Sequence, residues 1–387
     1  MSDTFLKFFN QIRLLFMLSL LTVACGRTKD NGIAYRSSVK LQKLDSIPLP
    51  FSGNVAVHDI DPLHRTVLLA HQDSGHHEII VMGFNGEVRS VLPTEDLLPD
   101  GQTGLLAPMK INGSDSFVAY TVNGFSAFDV SGKLLSTLAH PTTAIRASNF
   151  SMGEGMEKFG NRMLSNNPGE GKVGGDDLKL NRNPRLLVWL DTEKKEIEPF
   201  LSFPEGSIFR HAGSFFKDAW KPVFTIGDDR LFVAFGIEPV IYAYRTSPPY
   251  SLTSSIPLDL PEYQYTQRME NKKSRLDYFE LPFASGRILN IKSVKGHFVV
   301  AYFPGVDPRD ANVYTGASTR ELVHVSREIQ KKYPKRIAVF DSLGNLVNDY
   351  IPTGLDPNSM VLRNGELWMI GRDPVSLFKV GLTFERD

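Results

Sequence analysis

Three features of the sequence predict an all-β chain folded as a six-bladed β-propeller, closed by pairing of an N-terminal strand with the last C-terminal blade, with short helical insertions. Beyond the N-terminal region no long segment has apolar residues at sustained helical spacing. Short runs rich in Val, Ile, Phe and Tyr alternate instead with Gly, Pro, Asn and Asp turn signals. A strand–turn–strand unit recurs, and nearly every copy follows a further apolar run. Four strands per roughly 40–60 residues is the grain of a propeller blade, whose core is buried only when neighbouring blades stack.

The N-terminus comes first and stands apart. Lys7 and Arg13 face a single Asp3, and the run Leu14–Ala24 follows at once. As a helix that run is roughly 16 Å long, about half a bilayer core. A basic start and a short apolar stretch have the form of a secretory signal. The next residues, Thr22-Val23-Ala24-Cys25-Gly26, place small side chains on both sides of the chain's single cysteine. They resemble the lipobox of bacterial lipoproteins, although Thr22 stands where that family usually has Leu. The resemblance implies cleavage before Cys25 and acylation of its thiol, with two or three acyl chains needed for stable attachment. A plain signal peptide with a chance cysteine is the alternative. The expected organisation is a signal over 1–24, a lipidated Cys25 and polar tether over 25–38, and a single propeller domain over 39–387.

The blades follow in order. The clearest hairpins are Ile79–Val88 with Asn85-Gly86 at its turn, Phe125–Leu134 with Ser131-Gly132, and Ile337–Leu346 with Gly344. Such turns need positive φ, which Gly supplies at low steric cost. Weaker copies are Leu186–Ile197, Ile241–Arg245 and Val375–Val380. With Met82, Phe128, Trp189, Tyr244, Phe340 and Phe378 taken as equivalent, the intervals are 46, 61, 55, 96 and 38 residues. Apolar runs at 66–70, 116–120, 230–235, 297–303 and 366–370 precede all but the third unit. The last unit lacks an outer strand, and the alternating run Val39–Ile47 has no blade of its own. Pairing the two closes the ring and removes open edges. A seventh blade inside the 96-residue interval, a β-sandwich or two separate β domains are the competing architectures.

Three stretches interrupt the repeat. Glu262–Phe279 is charged and aromatic, and Ser151–Asn183 is rich in Gly and Asn and reads as a long loop. Thr319–Tyr333 has Leu322, Val325 and Ile329 on one helical face, with Lys331 and Lys332 in the last turn, as an amphipathic helix requires. All three are expected on blade faces, where a ligand would meet them. Tyr263, Tyr265, Tyr278 and Tyr314 either form a recognition surface there or plug the insertions onto the blades.

Composition narrows the function. The chain has 387 residues, 43 Lys+Arg against 43 Asp+Glu, 42% apolar and 22% charged residues. No surplus of cations is available to neutralise phosphates, which argues against a nucleic-acid partner. One cysteine excludes a disulfide framework, a cysteine-rich zinc site and an iron–sulfur cluster. There is no G-x-S-x-G, H-E-x-x-H or G-x-x-x-x-G-K-[ST] motif, so no catalytic residue, metal ligand or cofactor is assigned. Gly153–Gly160 does not match G-x-G-x-x-G. Asp176-Asp177 reads as a solvated turn, with weak Ca²⁺ ligation the alternative; His71, His76, His77 and Glu78 read as a polar hairpin end, since adjacent strand residues point to opposite faces and converge on one metal ion only through a bulge.

In a propeller the inner strands line a central channel, so the polar residues near their starts are the candidate ligand contacts: Asn54, Arg146, Asn149, Lys221, Arg287 and Asn358. If the three cations converge, they favour an anionic or sugar-like ligand through charge-assisted hydrogen bonds. The lipobox-like segment, the six units and the repeated F-D-x-x-G hairpins (Phe128-Asp129 to Gly132, Phe340-Asp341 to Gly344) resemble six-bladed propeller lipoproteins with TolB-like or NHL-like folds. That resemblance implies a cell-envelope location and a lipid anchor in the membrane, and no reaction. The expected function is a tethered binding or scaffold module for a protein, peptide or glycan. The alternative is a hydrolase or lyase with a channel active site, as in Ca²⁺-holding propellers of the gluconolactonase and strictosidine-synthase type, whose ligand set has no residue-by-residue match here. A purely structural envelope component is a third reading.

Overall fold

The apolar runs and the polar runs of this chain occupy different places in one repeated sheet. The computed structural model describes residues 38–51, 54–73, 76–94, 97, 105–121, 123–140, 155–168, 184–211, 215–216, 218–266, 284–311, 327–372 and 375–385. After β1 (Ser38–Pro48), the first blade is β2 (Asn54–Asp61), β3 (Thr66–Asp73), β4 (His76–Gly83) and β5 (Val88–Pro93). The second is β6 (Leu105–Ile111), β7 (Ser116–Thr121), β8 (Gly124–Asp129) and β9 (Leu134–Leu138). The third is β10 (Glu157–Phe159), β11 (Arg162–Asn166), β12 (Leu187–Asp191) and β13 (Glu196–Phe200). The fourth, after a single helical turn α1 (Ile208–His211), is β14 (Pro222–Gly227), β15 (Arg230–Phe235), β16 (Val240–Arg245) and β17 (Leu252–Pro257). The fifth is β18 (Arg287–Val294), β19 (His297–Phe303), β20 (Arg336–Phe340) and β21 (Leu346–Tyr350), with a second helical turn α2 (Pro308–Ala311) between β19 and β20. The sixth contains β22 (Val361–Arg363), β23 (Glu366–Arg372) and β24 (Val375–Glu385).

Among the described residues these strands form six antiparallel four-stranded sheets, and the sixth is completed by β1 in the order β1-β24-β23-β22. Val39 lies opposite Phe384 and Ile47 opposite Leu377, with one bulge between Lys43 and Asp45 that leaves Leu44 exposed. The chain is an all-β, six-bladed propeller. Its 96-residue interval holds the outer strand of blade four, the two inner strands of blade five and long connections.

Second and third strands are apolar because a neighbouring blade covers each of their faces. β15 and β16 are buried almost throughout, whereas outer strands β9, β17 and β21 are mostly exposed or half-buried. The apolar clusters lie between consecutive blades. Val67 and Leu69 meet Trp368 and Ile370 at the seam of blades one and six, and Val299 and Ile337 meet Leu367 and Met369 at that of blades five and six. Burial therefore runs round the whole ring.

The equivalent positions read from the sequence all fall on third strands: Met82 on β4, Phe128 on β8, Trp189 on β12, Tyr244 on β16, Phe340 on β20 and Phe378 on β24. In four blades a bulge stands immediately before that residue, where it increases twist on the way into the turn. The following Asp folds the turn. Asp129 accepts hydrogen bonds from the Ser131 and Lys133 amides, and Asp341 from those of Leu343 and Asn345. Asp191 does the same for Glu193 and Lys194, and here Lys195 takes the positive φ of 58° that glycine takes elsewhere.

One expectation is corrected. The stretch 151–183 is not wholly a loop, because β10 and β11 lie within it. Met156, Met163 and Leu164 are buried there, and Gly160 turns the chain at φ +58°. Three-residue strands bracketed by Gly and Asn carry too little apolar periodicity to stand out. In the 319–333 stretch, residues 327–332 are helical and Ile329 is buried beside Phe303 and Val306. Leu322 and Val325 lie outside the described residues.

Candidate functional site

Antiparallel blades place alternate connections at opposite ends of the ring, and the two ends differ. One end carries the turns at 62–65, 112–115, 160–161, 228–229, 295–296 and 364–365, and the hairpin tips at 84–87, 130–133, 192–195, 246–251 and 341–345. All of these are short. The other end carries 94–104, 139–156, 167–186, 201–221, 258–286, 304–335 and 351–360. Among the described strands, the ends that border every connection longer than six residues therefore lie at one end of the ring. Binding residues concentrate on such loops when a rigid scaffold positions them.

Ion pairs made across blades occupy the turn end of the channel. Lys110 Nζ on β6 lies 2.9 Å from Asp59 Oδ1 on β2, and Arg363 Nη1 on β22 lies 3.2 Å from Asp59 Oδ2. The Ile111 amide also donates to Asp59, at 3.0 Å. Lys292 on β18 reaches Glu157 on β10 at 2.6 Å, joining blades three and five past blade four. All these side chains are buried or nearly so, which is tolerable only because each charge is matched. Below them a cavity of about 500 Å³ opens among Asp61, His64, Lys158, Asp228, Asp229 and Asn364. Burial alone raises the Asp61 pKa, but hydrogen bonds from His64 and the charge of Arg363 bring it below the usual carboxylate range. Beside the Asp59 pair on β2, His58 is pushed down to about 4 by burial and is neutral at physiological pH.

The insertion end of the channel is built differently. Lys221 stands just before β14 and Arg287 opens β18. Asn358 lies in a 3₁₀ turn (Pro357–Ser359) leading into β22. The starts of blades four and five are held together by Gly236. Its amide donates to the Lys221 carbonyl at 3.0 Å, and its own carbonyl accepts from the Ile288 amide at 2.8 Å. At φ +40° a Cβ here would lie 1.8 Å from the Ala219 carbonyl oxygen, so only glycine fits. Blades five and six are joined by Asn290, whose Nδ2 donates at 3.0 Å to the carbonyls of Asn358 and Met360.

The segment 258–266 folds over this junction. Tyr263 donates to the Ile237 carbonyl at 2.9 Å and packs near Tyr302, so it plugs its insertion onto the blades. Gln264 accepts from the Gly286 amide at 2.7 Å, which fixes the residue before Arg287.

Three cations stand at this end among the described residues, with Asp218 and Asp356 near them. Burial lowers Lys221 to about 8, and the neighbouring Arg287 pushes in the same direction. Arg287 is itself lowered by burial, against the charges of Tyr263 and Asp218. Lys335, just before β20, is also lowered by burial, with Asp356 opposing and Arg372 and Arg287 adding to the shift. Asp356 is committed elsewhere: it accepts from Arg372 at 2.8 Å and from the Asn358 amide at 3.1 Å, and lies 3.9 Å from Lys335. Nε of Arg287 and Oδ1 of Asn358 are among the buried polar atoms that make no hydrogen bond among the described residues.

Of the residues singled out from the sequence, Lys221, Arg287 and Asn358 therefore begin three consecutive blades at one channel end. Asn54 begins the inner strand of blade one and is exposed. Arg146, Asn149, Cys25, Asp176, Asp177, Tyr278 and Tyr314 lie outside the described residues. His71 lies opposite Glu78 on β3 and β4, with Nδ1 3.3 Å from Oε2. Among the described residues no group of three or more His, Cys, Asp or Glu is arranged to hold a metal ion. Lys335 and the channel charges were not legible in advance. Their one sequence signal is a charge inside an apolar inner strand, as in Val57-His58-Asp59-Ile60 and Met109-Lys110-Ile111.

No family model matches the chain, and no curated protein matches it. Solved structures do. A member of the DUF4221 family from Bacteroides vulgatus superposes with a TM-score of 0.64 at 10% identity, covering 90% of this chain and 100% of that one. A protein of Bacteroides fragilis described as exported superposes with a TM-score of 0.50 at 11% identity, covering 89% of this chain and 95% of that one. The likeness is one of fold.

Proposed function

We propose that this protein is an exported, non-catalytic binding module, held to an envelope membrane by lipid on Cys25, whose insertion-bearing end receives a protein, peptide or glycan. The observation that carries the reading is the inequality of the two ends. One carries short turns and buried ion pairs made across blades, while the strand ends that border every long connection lie at the other. The signal-like N-terminus and Cys25 support export and anchoring. The described export of one protein of similar fold agrees with that placement.

A photo-crosslinking amino acid placed at Tyr265, in the 258–286 connection, tests the reading against the same probe at Leu63 and Leu343 on the turn end. All three side chains are exposed. In intact cells the Tyr265 probe is expected to capture an envelope component, with the turn-end probes silent. A palmitate analogue is expected to label the wild type and not Cys25→Ala. Capture from the turn end alone, or equal labelling of both chains, contradicts the reading.

A further inference from the structure

β1 enters the ring from the turn end. β24 runs from the insertion-bearing end toward the turn end, and β1 lies antiparallel to it, with Ser38 opposite Glu385 and Pro48 opposite Ser376. Side chains at the start of β1 agree. Asn348, near the start of β21, donates to the Val39 carbonyl, and Phe384 packs on His297 at the opening of β19 with ring centroids 5.1 Å apart. From Cys25 to Ser38 the chain runs thirteen residues. An unconstrained chain of that length spans roughly 20 Å on average. The eight-residue inner strands β2 and β18 make the ring roughly 25 Å tall. A leash from Ser38 therefore brings the turn end to the membrane without strain. Bringing the opposite end there would draw the leash out along the whole wall of the ring, which chain entropy opposes.

The same end holds apolar side chains in water, and its turns and hairpin tips all lie within the described residues. Leu343 and Leu63, both in turns, are the most exposed large apolar side chains described, at 79% and 76%. Val88, Leu134, Leu252 and Leu346 are exposed where four outer strands begin. Apolar groups exposed in number at one end mark a contact with a membrane or a protein. The position of the leash decides for the membrane. We propose that the turn end rests on the bilayer that holds the Cys25 lipid, with Leu63 and Leu343 at headgroup level and the insertion-bearing end pointing away. The proposal rests on acylation of Cys25. The acyl chains supply the attachment, and the leucines set the orientation. Charges of both signs stand between the apolar groups, as with Glu193 and Lys194 at one tip, so the contact calls for no anionic lipid. A photo-probe at Leu63 or Leu343 then meets only lipid, which is why neither is expected to capture a protein or glycan. Away from a bilayer, as in an extract cleared of vesicles, the same face stays open to solvent.

The test uses the acylated chain on phosphatidylcholine vesicles whose headgroups carry a nitroxide quencher. Cys25 is the single cysteine and its thiol is taken by lipid, so one added cysteine carries a dye alone. Leu63→Cys and Leu343→Cys place the dye at the turn end, Tyr265→Cys and Ile351→Cys at the other. All four side chains are exposed, so none of these exchanges disturbs the core. Quenching of the dyes at positions 63 and 343 is expected to exceed that at 265 and 351 by about threefold or more. Adding Leu63→Asp to the chain labelled at 343 is expected to lower its quenching by about twofold or more. Equal quenching at the two ends, stronger quenching at 265 and 351, or none at either end overturns the proposal, as does unchanged quenching in the Leu63→Asp chain. Those results on a chain that carries the palmitate label remove the orientation and leave the anchored module standing. A wild-type chain that takes no palmitate label overturns both.

Discussion

His58 shows how one residue's position in the ring becomes a property of the whole protein. It sits on the inner strand of blade one, beside Asp59, with burial holding its pKa near 4 rather than 6.5. A group whose folded pKa is depressed binds its proton more readily in the unfolded chain. Stability from the neutral histidine is therefore present above pH 6.5 and is lost as pH falls from 6.5 toward 4. The size is on the order of 3 kcal/mol. Unfolding in urea at a series of pH values is expected to show this loss in the wild type and a flatter profile for His58→Gln between those limits. Equal slopes would show that His58 is not the titrating group. Asp61, held below the usual carboxylate range, adds its own loss at lower pH, outside that window. The pairs Lys110–Asp59 and Lys292–Glu157 follow a related logic. Buried charges of this kind are weak evidence of net stability, but breaking one strands its partner in a poor solvent.

At the scale of the element, glycine geometry separates turns that merely reverse the chain from the one that builds the site. Gly236 and Gly113 both have positive φ, at 40° and 85°. A Cβ at Gly113 meets nothing within 4 Å, whereas at Gly236 it collides with the Ala219 carbonyl. Gly113→Ala is expected to cost about 1 kcal/mol, from backbone strain alone. Gly236→Ala is expected to cost several times more, and to move the Lys221 and Ile288 backbones that Gly236 bridges. Thermal midpoints of the two variants provide the comparison, and equal midpoints would deny Gly236 its bridging role. Hairpins were legible in the sequence because their information is local: Phe-Asp-x-x-Gly brings its own Asx turn and its own positive φ. The short strands Glu157–Phe159 and Arg162–Asn166 were not, because burial of Met163 and Leu164 depends on blade stacking rather than on local pattern. Lys221, Arg287 and Asn358 could be named because they open inner strands. Lys335 opens a third strand, so the same rule passed over it.

At the scale of the molecule, closure and inequality of the ends are what matter. β1 pairs along most of β24, so the ring is joined by backbone hydrogen bonds between the two ends of the described chain. A closed ring of this kind leaves no exposed inner edge and makes a rigid scaffold on which loops can vary. The channel charges could not be paired from sequence, since the partner of Glu157 lies 135 residues away and those of Asp59 lie 51 and 304 residues away. Hydrogen exchange of the full chain in buffer and in envelope extract tests the inequality of the ends most directly. Slower exchange in the extract is expected over 219–224, 284–290 and 356–360, with 62–65, 112–115 and 364–365 unchanged. Protection confined to the turn end, or no protection anywhere, would contradict it.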